Sequence, residues 1–146
     1  MIKIKLTWTG KTKEKFILEG VAKYLKLLGH YADVSISEIK EEKGTDTQRM
    51  IEKESERISK SGVPYILLDE KGKSLSSVEF AALIKNQPSV HFVMGGAFGV
   101  SDKVKKEARD IISLSKMTFT HEMVRLFFLE QLYRAFTIIN KRGYHH

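Results

Sequence analysis

The chain has 146 residues, no cysteine, and a net charge of +7 from 25 Lys plus Arg against 18 Asp plus Glu. Such a length is expected to form a single domain, residues 1–146, with a core of its own, and the absence of thiols excludes disulfides, thiolate metal sites and cysteine nucleophiles. The cationic excess suits a polyanionic partner, nucleic acid above all, as well as it suits a Lys-rich solvated surface.

Ile2, Ile4, Leu6 and Trp8 alternate with polar residues, which predicts a strand and leaves no continuous apolar run for a signal peptide. No later run is long enough to cross a bilayer, so a soluble cytoplasmic protein without membrane attachment is expected. Phe16, Ile17, Val21, Tyr24, Leu25 and Leu28 recur at helical spacing over Thr12 to Gly29. A strand is predicted around Asp33 to Ile39. Asp46 or Thr47 caps a polar helix to about Lys60, and "GVPYILLDEKG" reads as a buried strand. Ser76 with Glu79 forms a capping box for a helix that ends before Pro88. "SVHFVMGG" is a strand, "SDKVKKEARDII" a helix, "SLSKMTF" a short extended fifth strand, and Thr120 to Asn140 the last helix. This alternation predicts an α/β fold, a mainly parallel sheet with helices on both faces and ligands at the carboxyl ends of the strands. "LLDEKG", "GGAFG" and "SLSKMTF" fall at those ends.

The last helix is apolar almost all round: His121, Glu122 and Arg125 lie nearly opposite Glu130, Arg134 and Thr137. One sheet covers one stripe of such a helix, so the remainder is expected to pack against a second copy of the chain. Gly95, Gly96 and Gly99 mark a strand-to-helix turn that admits a close ligand but lacks the dinucleotide spacing. Glu130 and Arg134 read as a surface ion pair, and Tyr144 and His145 as a free terminus. No His or carboxylate pair has metal-ligand spacing, so no metal is expected.

The segments "LLDEKGKSLSS", "FVMGGAFG", "SLSKMTFTHEMVR", "FLEQLYRAF" and the closing "YHH" resemble one family, over the whole chain and most densely in the last third. It is the RlmH family of the SPOUT class, pseudouridine N3-methyltransferases of large-subunit ribosomal RNA. The resemblance implies a fold with a deep C-terminal trefoil knot, a homodimer, S-adenosylmethionine as cofactor, and N3 of a pseudouridine in 23S ribosomal RNA of the assembled ribosome as target. It implies cofactor binding by Leu68, Gly95, Leu114, Ser115, Lys116, Met117, Thr118 and Phe119, and catalytic roles for Arg134, Tyr144 and His145. On that reading the tail is ordered and reaches over the cofactor's methyl group. His145 takes the N3 proton, as imidazoles do near neutrality, Tyr144 holds the base, and Arg134 steadies a phosphate or the developing imide anion. Thr120 stands where relatives carry Pro, and as a good cap it should keep the turn. A SPOUT enzyme acting on transfer RNA and a non-catalytic RNA-binding protein are the alternatives; cofactor affinity and substrate separate them.

Overall fold

The computed structural model describes residues 1–146. The elements, in order, are β1 (Ile2–Thr9), α1 (Lys15–Leu28), β2 (Ala32–Ile39), α2 (Thr47–Ser59), β3 (Ile66–Ser74), α3 (Ser77–Ile84), β4 (Ser89–Met94), α4 (Asp102–Glu107), β5 (Asp110–Ser113) and α5 (His121–Ile139). The strands form one sheet in the order β2-β1-β4-β3-β5, with every pairing parallel. None of the helices is long and apolar enough to cross a membrane.

Alternation along β1 assigns the two faces. Ile4, Leu6 and Trp8 join Ile66, Leu68, Phe92 and Met94 in a core closed by α1, α3 and α5. The side chains between them in sequence face the other way, where Ile58 of α2 and Val104 of α4 cover Tyr65, Leu67 and Val93. Helices thus lie on both faces, as expected, but α2 and α4 cover far less of theirs.

α5 occupies the middle of the larger layer. Phe128, Leu129 and Leu132 are fully buried, each contributing about 1.5–3 kcal/mol by burial. Phe92 and Phe128 meet edge to face at 4.9 Å, with Phe80 against both. On the other flank Tyr31 stacks on Phe136 at 6.1 Å. A Cβ on Gly20 of α1 would sit 2.5 Å from Leu126 Cδ1, so the two helices cross where one has no side chain. Much of the apolar surface assigned above to a second copy is therefore covered by α1 and α3 of the same chain, and among the large apolar side chains of α5 only Phe127 is exposed.

Two boundaries differ from the sequence reading. The helix expected over 101–112 ends at Glu107, and β5 begins at Asp110. The Arg109 N–H donates to the Tyr65 carbonyl at 2.8 Å and starts the β5 ladder, in which Ile111 and Ile112 align with Leu67 and Leu68. Tertiary pairing overrides the helical pattern of the preceding lysines, and "SLSKMTF" gives only Ser113 to the strand. β5 also pairs with Lys73 and Ser74, beyond a register shift after Leu68, so residues 69–72 form an irregular, bulged stretch inside β3.

On the second face His91 is buried, with its Nε2 2.7 Å from Thr7 Oγ1 and its Nδ1 without a partner. Burial, with Lys5 beside it, pushes its pKa from 6.5 down to about 4. The unfolded chain takes up this proton more readily than the folded one. The stability tied to His91 is therefore complete above about pH 6.5 and lost as pH falls toward 4. We expect the melting temperature to decline over that window in the parent and to decline less in His91→Gln; equal slopes would show that other groups set it.

Candidate active site

Three segments, the irregular middle of β3 and the carboxyl ends of β4 and β5, converge on a cleft of about 390 Å³. Leu68, Asp69, Glu70 and Lys71 come from the first, Met94 to Val100 from the second, and Ser113 to Phe119, except Lys116, from the third. His121 and Val124 of α5 close it. Of the residues implied for the cofactor, Leu68, Gly95, Leu114, Ser115, Met117, Thr118 and Phe119 line the cleft, whereas Lys116 is exposed and does not.

Short-range hydrogen bonds shape the third segment. Ser113 Oγ donates to the Ser115 carbonyl at 2.7 Å, and the Met117 N–H donates to Ser115 Oγ at 3.0 Å. Thr118 Oγ1 donates to Glu70 at 2.6 Å, tying this loop to the irregular middle of β3. Thr120 Oγ1 accepts from the Met123 N–H at 3.2 Å and caps α5, as a threonine at that position is expected to. A Cβ on Gly95 would sit 2.8 Å from Val100 Cγ1 and 3.1 Å from the Gly99 carbonyl carbon, so the cleft floor needs glycine there.

This lining fits S-adenosylmethionine. Leu68, Met94, Leu114 and Val124 offer apolar walls for an adenine, and the backbone of two glycine- and serine-rich loops lies beside them. Asp69 and Glu70 offer carboxylates to a sulfonium or an ammonium group, and Lys71 and Lys105, which line the same cleft, offer cations to a carboxylate. His121, which the sequence reading left aside, lines the same cleft; burial, and then Arg125, lower its pKa and keep it neutral. No cluster of metal-ligating side chains occurs.

Arg134, Tyr144 and His145 form a second cluster. Arg134 Nη2 and Nε donate to Glu130 Oε1 at 2.6 and 3.1 Å, and the Tyr144 hydroxyl donates to the same oxygen at 3.1 Å. Arg134 Nη1 lies 3.2 Å from His145 Nδ1, and the guanidinium sits 4.8 Å from the centre of the Tyr144 ring. The tail is thus docked on α5 rather than free, and Glu130 joins its parts. Glu130 holds Arg134 charged. Burial, then Tyr24 and Glu130, raise the Tyr144 pKa, so the phenol keeps its proton. The sequence showed Glu130 only as half of an i, i+4 pair.

None of these three residues lines the cleft. Arg134 lies ten residues along α5 from Val124, about 15 Å at 1.5 Å per residue. Within one chain the two clusters do not meet. The cleft rim exposes Phe98, Met117 and Phe119, and Phe127 packs on Phe119 with ring centroids 5.0 Å apart.

Residues 2–145 match the family model described as "Predicted SPOUT methyltransferase". Two proteins named Ribosomal RNA large subunit methyltransferase H are similar over the full length. That of Thermodesulfovibrio yellowstonii is 49% identical, with 100% of each chain covered. That of Geotalea daltonii is 42% identical, covering 99% of this chain and all of its own. Among solved structures, the SpoU methyltransferase AviRb of Streptomyces viridochromogenes is 14% identical with a TM-score of 0.47, over 97% of this chain and 61% of its own.

Proposed function

The chain belongs to the SPOUT methyltransferase family, and from that premise we propose that it methylates N3 of a pseudouridine in large-subunit ribosomal RNA, using S-adenosylmethionine. The observation that carries this reading is the convergence of seven of the eight implied cofactor residues on one cleft, in a chain similar end to end to ribosomal RNA methyltransferases. The parallel α/β sheet accords with the fold expected. The proposal includes the C-terminal knotted course that the family resemblance implies.

The bound cofactor supplies an electrophilic methyl group on a positively charged sulfur. Leu68, Leu114 and Val124 would hold the adenine, the backbone at Gly95 and Ser115 would flank it, and Asp69 and Glu70 would balance the cationic end. Alignment of the attacking nitrogen is then the main requirement. N3 carries a proton at neutral pH, and the imidazole of His145 accepts it while Tyr144 and Arg134 orient the base and stabilise its developing charge. Because that cluster stands about 15 Å along α5 from the cleft, the working unit is a homodimer in which one copy's tail meets the other's cleft. The exposed aromatic and Met side chains at the rim are the surface such a contact would cover.

The test is transfer of labelled methyl from S-adenosylmethionine to ribosomes lacking the modification, with free ribosomal RNA and transfer RNA in parallel. Label at N3 of a large-subunit pseudouridine is expected. Label confined to transfer RNA would refute the substrate, and no label in any RNA would refute the activity.

A further inference from the structure

Crossover helices cover both faces of nearly every parallel sheet, yet one strip of this sheet escapes. On the second face, in the half nearer the strands' N-termini, Lys5 stands between Ser35 and His91, and Lys3 between Asp33 and Ser89. Val63, Pro64 and Arg109 complete a groove of about 390 Å³, lined by no residue of α2 or α4. Lys3, Lys5 and Arg109 take part in none of the chain's ion pairs, and Asp33 is the only acid in the lining. Lys3, Arg109, Ser35 and Ser89 are exposed, so the strip offers cations and hydroxyl donors to whatever lies on it. The exposed apolar contribution is limited to Val63 and Pro64, which argues against an apolar protein partner.

We propose that this uncovered strip is an RNA-docking surface, in which Lys3, Lys5 and Arg109 neutralise backbone phosphates of the substrate outside the methyl-transfer cleft. The proposal rests on the RNA methyltransferase reading and names a part of the substrate contact. Strip and cleft lie at opposite ends of β4, Ser89 in one and Met94 in the other, about 16 Å apart at 3.3 Å per residue. A folded RNA target is large enough to touch both. Contacts of this kind position the substrate without reading its sequence.

The triple variant Lys3→Gln/Lys5→Gln/Arg109→Gln tests the idea in the full-length protein, with ribosomes lacking the modification as the probe. The slope of log affinity against log salt should become shallower by about two, as expected for three lost phosphate contacts. KM for ribosomes should rise while kcat and S-adenosylmethionine affinity hold. Asp33→Asn, which keeps every cation and removes the acid, should tighten ribosome binding roughly two- to fivefold. Unchanged salt slope and KM in the triple variant, with Asp33→Asn also neutral, would overturn the proposal while parent activity left the methyltransferase reading intact. A parent that transfers no methyl to any RNA would sink both. Competition by polyglutamate as strong as competition by RNA of equal charge would overturn the RNA assignment.

Discussion

Arg134→Ala is expected to lower methyl transfer to ribosomes by on the order of a hundredfold or more, with S-adenosylmethionine affinity within about twofold of the parent. The guanidinium makes two bonds to Glu130, reaches His145 and covers the Tyr144 ring. Its loss therefore removes a cation and releases both tail residues together. It does not line the cleft, so cofactor affinity should hold. Arg134→Lys should restore little, since an ammonium cannot make the forked contact to Glu130 while stacking on Tyr144. Single-turnover transfer and calorimetric cofactor binding check the two halves of this expectation. A fall in cofactor affinity matching the fall in rate would place Arg134 at the cofactor instead.

Gly72→Ala is expected to destabilise the chain strongly, because the added carbon meets backbone. A Cβ there would sit 2.8 Å from the carbonyl carbon and oxygen of Ile111 and from the carbonyl carbon of Ile112. These are backbone atoms of β5, held in the ladder with β3, and cannot swing aside as a side chain can. The cost should be on the order of 3 kcal/mol, at the upper end for overpacking, or a melting temperature lower by roughly 10 °C for a chain of this size. Gly143→Ala, with nothing within 4 Å of the added carbon, is the control and should melt with the parent. Equal melting of Gly72→Ala and parent would mean that the irregular 69–72 stretch of β3 gives way easily.

The parts of the fold legible in the sequence were those whose pattern matches a period. β1 announced itself by Ile2, Ile4, Leu6 and Trp8, and the Ser76 and Glu79 capping box marked the start of α3, where both reciprocal bonds are present. β5 was hidden because it is a short edge strand following a helical run of lysines, and pairing with β3 decides it. α5 was recognised as apolar all round, but periodicity cannot tell a partner chain from flanking helices of the same chain, and α1 and α3 supply most of the cover. For the cleft, composition gave almost nothing. Its charged members, Asp69, Glu70, Lys71 and Lys105, look like ordinary strand and helix residues in sequence, so Leu68, Gly95 and residues 114–119 came from family resemblance alone. Glu130 was read only as the partner of Arg134 because Tyr144 reaches it only when the tail folds back.

On the proposed function, cleft and tail act together only across two copies of the chain. The most direct test mixes two inactive variants, Arg134→Ala with an intact cleft and Gly95→Val with an intact tail, after dissociation and reassociation. If one copy's tail serves the other's cleft, each mixed dimer regains one complete site, and random pairing restores about a quarter of the parent activity. A mixture as inactive as its components, although mixed dimers are present, would contradict the account and place the whole site within one chain.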